Sequence, residues 1–205
     1  MKEKIMQNST QPASREKKKD SKNEKIRLYL GYAPGKTTAL NGLLIRALGA
    51  GLKVKIILFS KCYENTSESK IYDVLKNIFK DKFDYFFAGV SRIRKDESFR
   101  FFGDKDGWTN DDQTKLEQGI EYLARDISSG DYDLLCLDEF TDLIYHKEQR
   151  IKEEFAKILF KNVHNNTMVV ITGHLCPEWL KELATTIIVG KIEKHYQGYT
   201  KGIEW

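Results

Sequence analysis

Short apolar runs alternate along this chain with segments whose apolar positions recur every third or fourth residue, the pattern of strands alternating with amphipathic helices. Runs at 26–30, 53–59 (KVKIILF), 83–87, 132–137 (YDLLCL), 167–172 (TMVVIT) and 185–189 predict strands. Between them, Leu40, Leu43, Leu44, Ala47 and Leu48 share one helical face, and Gly49 and Gly51 close that helix. A second helix is expected over 67–79, with Ile71, Val74, Leu75 and Ile78 on its packed face. A third is capped by Thr109 or Asn110, runs to Ser128 and carries Leu116, Ile120, Leu123, Ala124 and Ile127. Further helices are expected over 148–160 and, opening on Pro177, over 177–183. This order implies an α/β fold with a mostly parallel sheet and helices on both faces. No internal repeat is visible.

Two stretches break the alternation. Residues 1–24 are rich in Lys, Ser, Asn and Gln and poor in large apolar side chains, so they are expected to stay disordered, leaving 25–205 as one domain. Residues 89–110 show no period but hold Arg92, Arg94, Phe99, Arg100, Phe101, Phe102 and Trp108. Aromatics on such a loop form either a satellite core or a cover for a flat ligand.

The candidate chemistry gathers at the strand ends. Gly31, then Pro34-Gly35-Lys36-Thr37-Thr38 opening the first helix, reads as a phosphate loop. Glycine lets backbone N–H groups turn onto an anion, the helix adds its positive end, Lys36 supplies a charge, and Thr37 offers a hydroxyl to a phosphate-bound Mg²⁺. The loop is one residue shorter than the common pattern, whose first glycine would fall on Leu30. Asp138 and Glu139, at the end of an apolar strand, stand where a nucleotide-binding sheet places carboxylates that hold Mg²⁺. Lys61 and His174 end two further strands on the same edge.

Composition narrows the classes. At 205 residues, 40% hydrophobic and 31% charged, the chain can bury a core unaided. The net charge of +4 is concentrated in the first two dozen residues, from Lys2 to Lys25. The remainder is close to neutral, so no general nucleic-acid surface is expected. Cys62, Cys136 and Cys176 are odd in number and far apart, which fits a reducing compartment and neither a zinc nor a disulfide framework. No apolar run reaches membrane-spanning length and no secretion signal is recognisable, so a cytoplasmic protein without membrane contact is expected.

The order of segments resembles the ATP:corrinoid adenosyltransferase family, the P-loop type that adenosylates cob(I)alamin and its precursors. The resemblance runs from Ile26 to Trp205. It includes the short-spaced loop with Lys-Thr-Thr, Arg46 in LLIRALGAG, Phe59-x-Lys61, the aromatic loop ending in Gly107-Trp108, Leu137-Asp138-Glu139-Phe140-Thr141, Ile171-Thr172-Gly173 and the terminal Lys-Gly-Ile-Glu-Trp. It implies a P-loop NTPase, RecA-like fold and transfer of the 5′-deoxyadenosyl group from ATP to the cobalt of a reduced corrinoid, leaving triphosphate. By resemblance, Lys36 and Trp108 serve catalysis, and Thr37 with Glu139 holds Mg²⁺. Gly35, Lys36, Thr37, Thr38 and Arg46 hold the triphosphate. Gly31, Tyr32, Ala33, Lys61 and His174 complete the substrate site, with Trp108 on the corrin face. The family further implies a homodimer and an electron-donating reductase or flavodoxin.

There are departures. Tyr32, Ala33 and Pro34 stand where the family loop has Asn, Gly and Lys, Asp106 replaces a phenylalanine for which Phe101 or Phe102 could substitute, and His174 replaces an arginine. Two other readings stay open on the residues alone: a P-loop NTPase or kinase that yields diphosphate, and a homologue that binds ATP or corrinoid with impaired catalysis.

Overall fold

The computed structural model describes residues 25–101, 103–145 and 150–194. The basic tail, Phe102 and the terminal 201–205 motif lie outside them.

Strand β1 (Ile26–Leu30) buries Ile26, Leu28 and Leu30 and leaves Arg27 and Tyr29 half-buried. β2 (Val54–Phe59) and β4 (Leu134–Asp138) are buried at every position, which requires cover on both faces and suits the interior of a parallel sheet. With β3 (Phe83–Ala88), β5 (Met168–Gly173) and β6 (Thr186–Val189) they form a six-stranded sheet in the order β3-β2-β4-β5-β1-β6. All its pairings are parallel.

Parallel neighbours need crossovers, and helices supply them. One face is covered by α1 (Lys36–Gly49) and α2 (Ser69–Phe79), which close a core around Leu40, Leu44, Ile56, Leu58, Tyr72 and Phe83. The other is covered by α3 (Asn110–Ser129), α4 (Phe140–Tyr145), α5 (Glu153–Lys161) and α6 (Glu178–Leu183), around Leu28, Ile57, Leu123, Phe140, Phe160 and Ile171. The expected α/β architecture with helices on both faces is therefore the observed one.

α3 starts where Thr109 caps it. The Thr109 hydroxyl accepts from the Asp112 N–H, and the Asp112 carboxylate accepts from the Thr109 N–H.

Three elements differ from expectation. On α2, Ile71, Val74 and Ile78 face outward at 56%, 50% and 64% exposure, while Tyr72 points inward onto Phe83, Tyr85 and Phe87. The helix lies over the edge strand β3, which covers only one shoulder of its wide apolar arc. α5 begins at Glu153 because Lys152 is extended at ψ 134°, short of the expected 148 start. α4 was not expected at all; its six residues bury Phe140, Leu143 and Ile144 directly after the β4 carboxylates.

Candidate functional site

β1 ends in a loop that only glycine can start. Gly31 sits at φ +110°, and a Cβ there would lie 2.8 Å from the Gly190 carbonyl oxygen. Its N–H donates to the His174 carbonyl at 3.1 Å, hitching the loop to the end of β5. Gly35 precedes α1 at φ +98°, with no side chain capping the helix and no acidic residue in its first turn. The first-turn N–H groups are thus left to an incoming anion. Lys36 curls back over the loop, its ammonium donating to the carbonyls of Gly31 (2.6 Å) and Ala33 (3.2 Å).

Two strands away, Asp138 is fully buried at the end of β4. Thr37 Oγ1 lies 3.1 and 3.2 Å from its two oxygens, Thr172 Oγ1 donates to it at 2.7 Å, and Lys61 Nζ donates at 2.7 Å. Lys61 Nζ also donates to Thr37 Oγ1 at 3.1 Å and stands 3.6 Å from Glu139 Oε1. Burial alone lowers the Lys61 ammonium, but the carboxylates of Asp138 and Glu139 outweigh it and hold the group above its ordinary value. Glu139, at φ +58°, donates its N–H to Thr172 Oγ1 at 2.8 Å, and burial pushes its carboxyl up in spite of Lys61.

The backbone is shaped for this cluster. Ser60 turns at φ +60°, and a Cβ on Gly89 would come within 2.6 Å of the Ser60 and Lys61 backbone, so the ends of β2 and β3 close up only because position 89 is glycine. Gly173 plays the same part on β5, where a Cβ would fall 1.8 Å from Thr141 Oγ1.

His174 is held by Asp142: its N–H and its Nδ1 lie 2.9 and 2.8 Å from the two carboxylate oxygens. Its ring lies 4.9 Å from that of Tyr32. The pair walls a cleft of about 520 Å³ beside the loop, shared with Ala33, Tyr145, Leu175 and Ile192.

Of the sequence-derived candidates, the fold therefore brings Gly31, Tyr32, Ala33, Gly35, Lys36, Thr37, Lys61, Glu139 and His174 to one edge, with Thr38 exposed in the same first turn. Arg46 is a correction. It is exposed in the last turn of α1, ten positions beyond Lys36, so about 15 Å of helix separates it from the loop. A side chain there does not reach a triphosphate bound at Lys36 of the same chain.

Trp108 lies on the 89–109 segment. Its Nε1 donates to Gln113 at 3.2 Å, and the Arg150 guanidinium covers its ring at 4.3 Å. Among its described residues the segment has no helix or strand beyond an antiparallel bridge between Ile93 and Phe99, but it is pinned from beneath. Arg92 and Arg100, both 7% exposed, bond the two oxygens of Asp112 at 3.1 and 2.7 Å, and both donate to the Gly107 carbonyl beside Trp108. Asp106 is paired with Arg94, Phe101 stands exposed against Phe99, and Phe102 lies outside the described residues.

Sequence reasoning missed Thr172, Asp142, Arg92, Arg100 and Asp112; Asp138 was paired with Glu139 as a metal carboxylate on the residues, although the family resemblance named only Thr37 and Glu139. Only Thr172 carried a local signal, as the hydroxyl that ends a strand beside a glycine. Among the described residues no three His, Cys, Asp or Glu side chains gather to hold a metal, so a cation here would draw on the Thr37 hydroxyl, on the Asp138 and Glu139 carboxylates beside it, and on ligand oxygens. No described helix is long and apolar enough to cross a membrane.

A family model described as ATP:corrinoid adenosyltransferase BtuR/CobO/CobP matches residues 22–205. A corrinoid adenosyltransferase of Pseudomonas aeruginosa is 23% identical over 172 residues, covering 82% of this chain and 75% of its own. One of Escherichia coli K12 is 26% identical over 170 residues, covering 83% and 78%. Among solved structures, the genome packaging NTPase B204 of Sulfolobus turreted icosahedral virus 2, in complex with AMP, is 16% identical with a TM-score of 0.45, covering 85% of this chain and 78% of that one.

Proposed function

The chain belongs to the ATP:corrinoid adenosyltransferase family, and we propose how its residues divide the work of that reaction. The observation that carries the assignment is the Thr37 hydroxyl resting on the buried Asp138 carboxylate directly below a loop that Lys36 spans.

In the reaction, a cobalt(I) corrinoid attacks C5′ of ATP. A Co–C bond forms, the C5′–O bond breaks, and triphosphate leaves with the electron pair. The leaving group gathers negative charge, so catalysis rests on placement and charge neutralisation rather than on a general base. The α1 N–H groups and Lys36 take the triphosphate, with Lys36 exchanging the Gly31 and Ala33 carbonyls for phosphate oxygens. Hard oxygen donors at Thr37, Asp138 and Glu139 fit Mg²⁺, which would supply further neutralisation of the triphosphate. Tyr32 and His174 border the nucleotide.

Trp108 presents an indole to the corrin. Packing apolar surface against the lower face removes an axial donor and makes cobalt(I) easier to reach, the same lever that axial ligands exert in other metallocofactors. The Arg92–Asp112–Arg100 anchor keeps Trp108 in register. A homodimer, a reductase or flavodoxin as electron source, and a cytoplasmic setting complete this reading.

The test is anaerobic incubation with ATP, Mg²⁺ and chemically reduced cobalamin. Loss of the cobalt(I) absorbance with formation of a light-sensitive alkylcobalamin and triphosphate, abolished in Lys36→Ala, is the expected result. Diphosphate as the product, with cobalt(I) persisting, would overturn the proposal.

A further inference from the structure

We propose that Lys61 is a tethered placeholder for the divalent metal: its ammonium occupies the Thr37–Asp138–Glu139 oxygens until the metal arrives with the triphosphate, and so keeps the nucleotide-free site from loading metal alone. The inference rests on the reading that this cluster receives a metal–ATP complex.

Lys61 Nζ makes 2.7 and 3.1 Å contacts to Asp138 Oδ2 and Thr37 Oγ1 and stands 3.6 Å from Glu139. An ion bound to those same oxygens at about 2.1 Å would sit almost on top of the ammonium, and two cations cannot share the position. One of them has to yield. Asp138 is fully buried and fixed by Thr172, whereas Lys61 is 24% exposed on a flexible stem, so the lysine is the group that can leave. Its place is built into the backbone. The left-handed Ser60 and the close pass over Gly89 aim position 61 at the carboxylates rather than along the β2 axis. A metal alone must displace this cation at a cost, while a metal carried by triphosphate brings enough negative charge to draw the freed ammonium onto a phosphate. Nucleotide and metal binding are thereby coupled.

The test uses the full chain and Mn²⁺ alone, read by electron paramagnetic resonance with and without ATP. Wild type is expected to bind Mn²⁺ weakly without nucleotide and far more tightly with it. Lys61→Met should raise the nucleotide-free affinity by about tenfold or more, the scale of removing one close cation, and Lys61→Arg should keep it low. Lys61→Gln serves if Lys61→Met does not fold, as judged by circular dichroism. Equal nucleotide-free affinity in wild type and the neutral variant, with ATP-dependent Mn²⁺ binding intact, overturns this inference alone. Wild type binding Mn²⁺ as tightly without ATP as with it overturns it regardless of the variants. If ATP fails to bind even with Mn²⁺, the functional reading falls and this inference with it.

Discussion

Replacing Asp112 by asparagine removes the negative charge that both of two buried guanidinium groups bond. Asp112 is 3% exposed and accepts from Arg92 (3.1 Å), Arg100 (2.7 Å), the Thr109 N–H (2.9 Å) and the Thr109 hydroxyl (2.8 Å). The amide keeps the shape but turns one oxygen into a donor facing donors. Arg92 is already under strain of this kind, because burial pulls its pKa down against the support of Asp112. Removing one partner of a buried ion pair costs about 3–5 kcal/mol. The capping bonds belong to the same side chain, so their loss is counted within that range. For a chain of this size each kcal/mol moves the melting temperature by about 2–4 °C, so Asp112→Asn should melt about 6–20 °C lower. Urea denaturation followed by circular dichroism should show the loss as a lower midpoint with an unchanged slope. A loss under about 1 kcal/mol would refute the reasoning, since it would mean the guanidiniums reach water without the carboxylate.

Three further outcomes follow from other contacts. Gly173→Ala, whose Cβ would fall 1.8 Å from Thr141 Oγ1, should cost about 1–3 kcal/mol through overpacking and weaken ATP binding by tilting β5 against the loop, checked by thermal melts and calorimetric titration. Asp106→Ala breaks an ion pair on the exposed surface and should leave urea stability unchanged within error, in contrast to Asp112→Asn. For the pH dependence, the bonds from Arg100, Thr109 and Arg92 outweigh burial and hold the Asp112 carboxyl below its ordinary 3.8. The folded state therefore holds this proton less tightly than the unfolded one, and the stabilisation is complete above the ordinary value and lost as pH falls through 3.8 and below. Denaturation midpoints measured from pH 6 to pH 2 should drop less steeply in Asp112→Asn than in wild type.

What the sequence revealed was local. The period change from 2 to 3.6 marks β1, the loop and α1, and the glycine at position 31 announces its own backbone demand. Lys61, Glu139 and His174 were legible because a parallel sheet gathers its strand ends on one edge. What remained hidden depends on partners far along the chain. Nothing near Arg92 or Arg100 points to Asp112, because the three meet only when the segment folds over the start of α3. The outward turn of Ile71, Val74 and Ile78 follows from β3 being an edge strand, a property of strand order rather than of α2. Arg46 was assigned by likeness alone, and the straight run of α1 carries it away from the loop. Asp138 was read as one of a pair, but its complete burial and its bond to Thr37 belong to the register of β4 with its neighbours.

The strand order also bears on the timing of synthesis. β1 emerges first from the ribosome, yet its two neighbours, β5 and β6, are made last, and Thr185 reaches back to Ile26 across 159 residues. Until β5 is out, β1 has no strand to pair with, and the Gly31 N–H lacks the His174 carbonyl that fixes the loop. Contacts this distant make folding slow and leave apolar strands open to wrong pairings meanwhile. A nascent chain stalled before Met168 would therefore carry the complete phosphate-loop sequence and no capacity to hold a nucleotide. The loop's geometry is completed in one step, once β5 and β6 have been made.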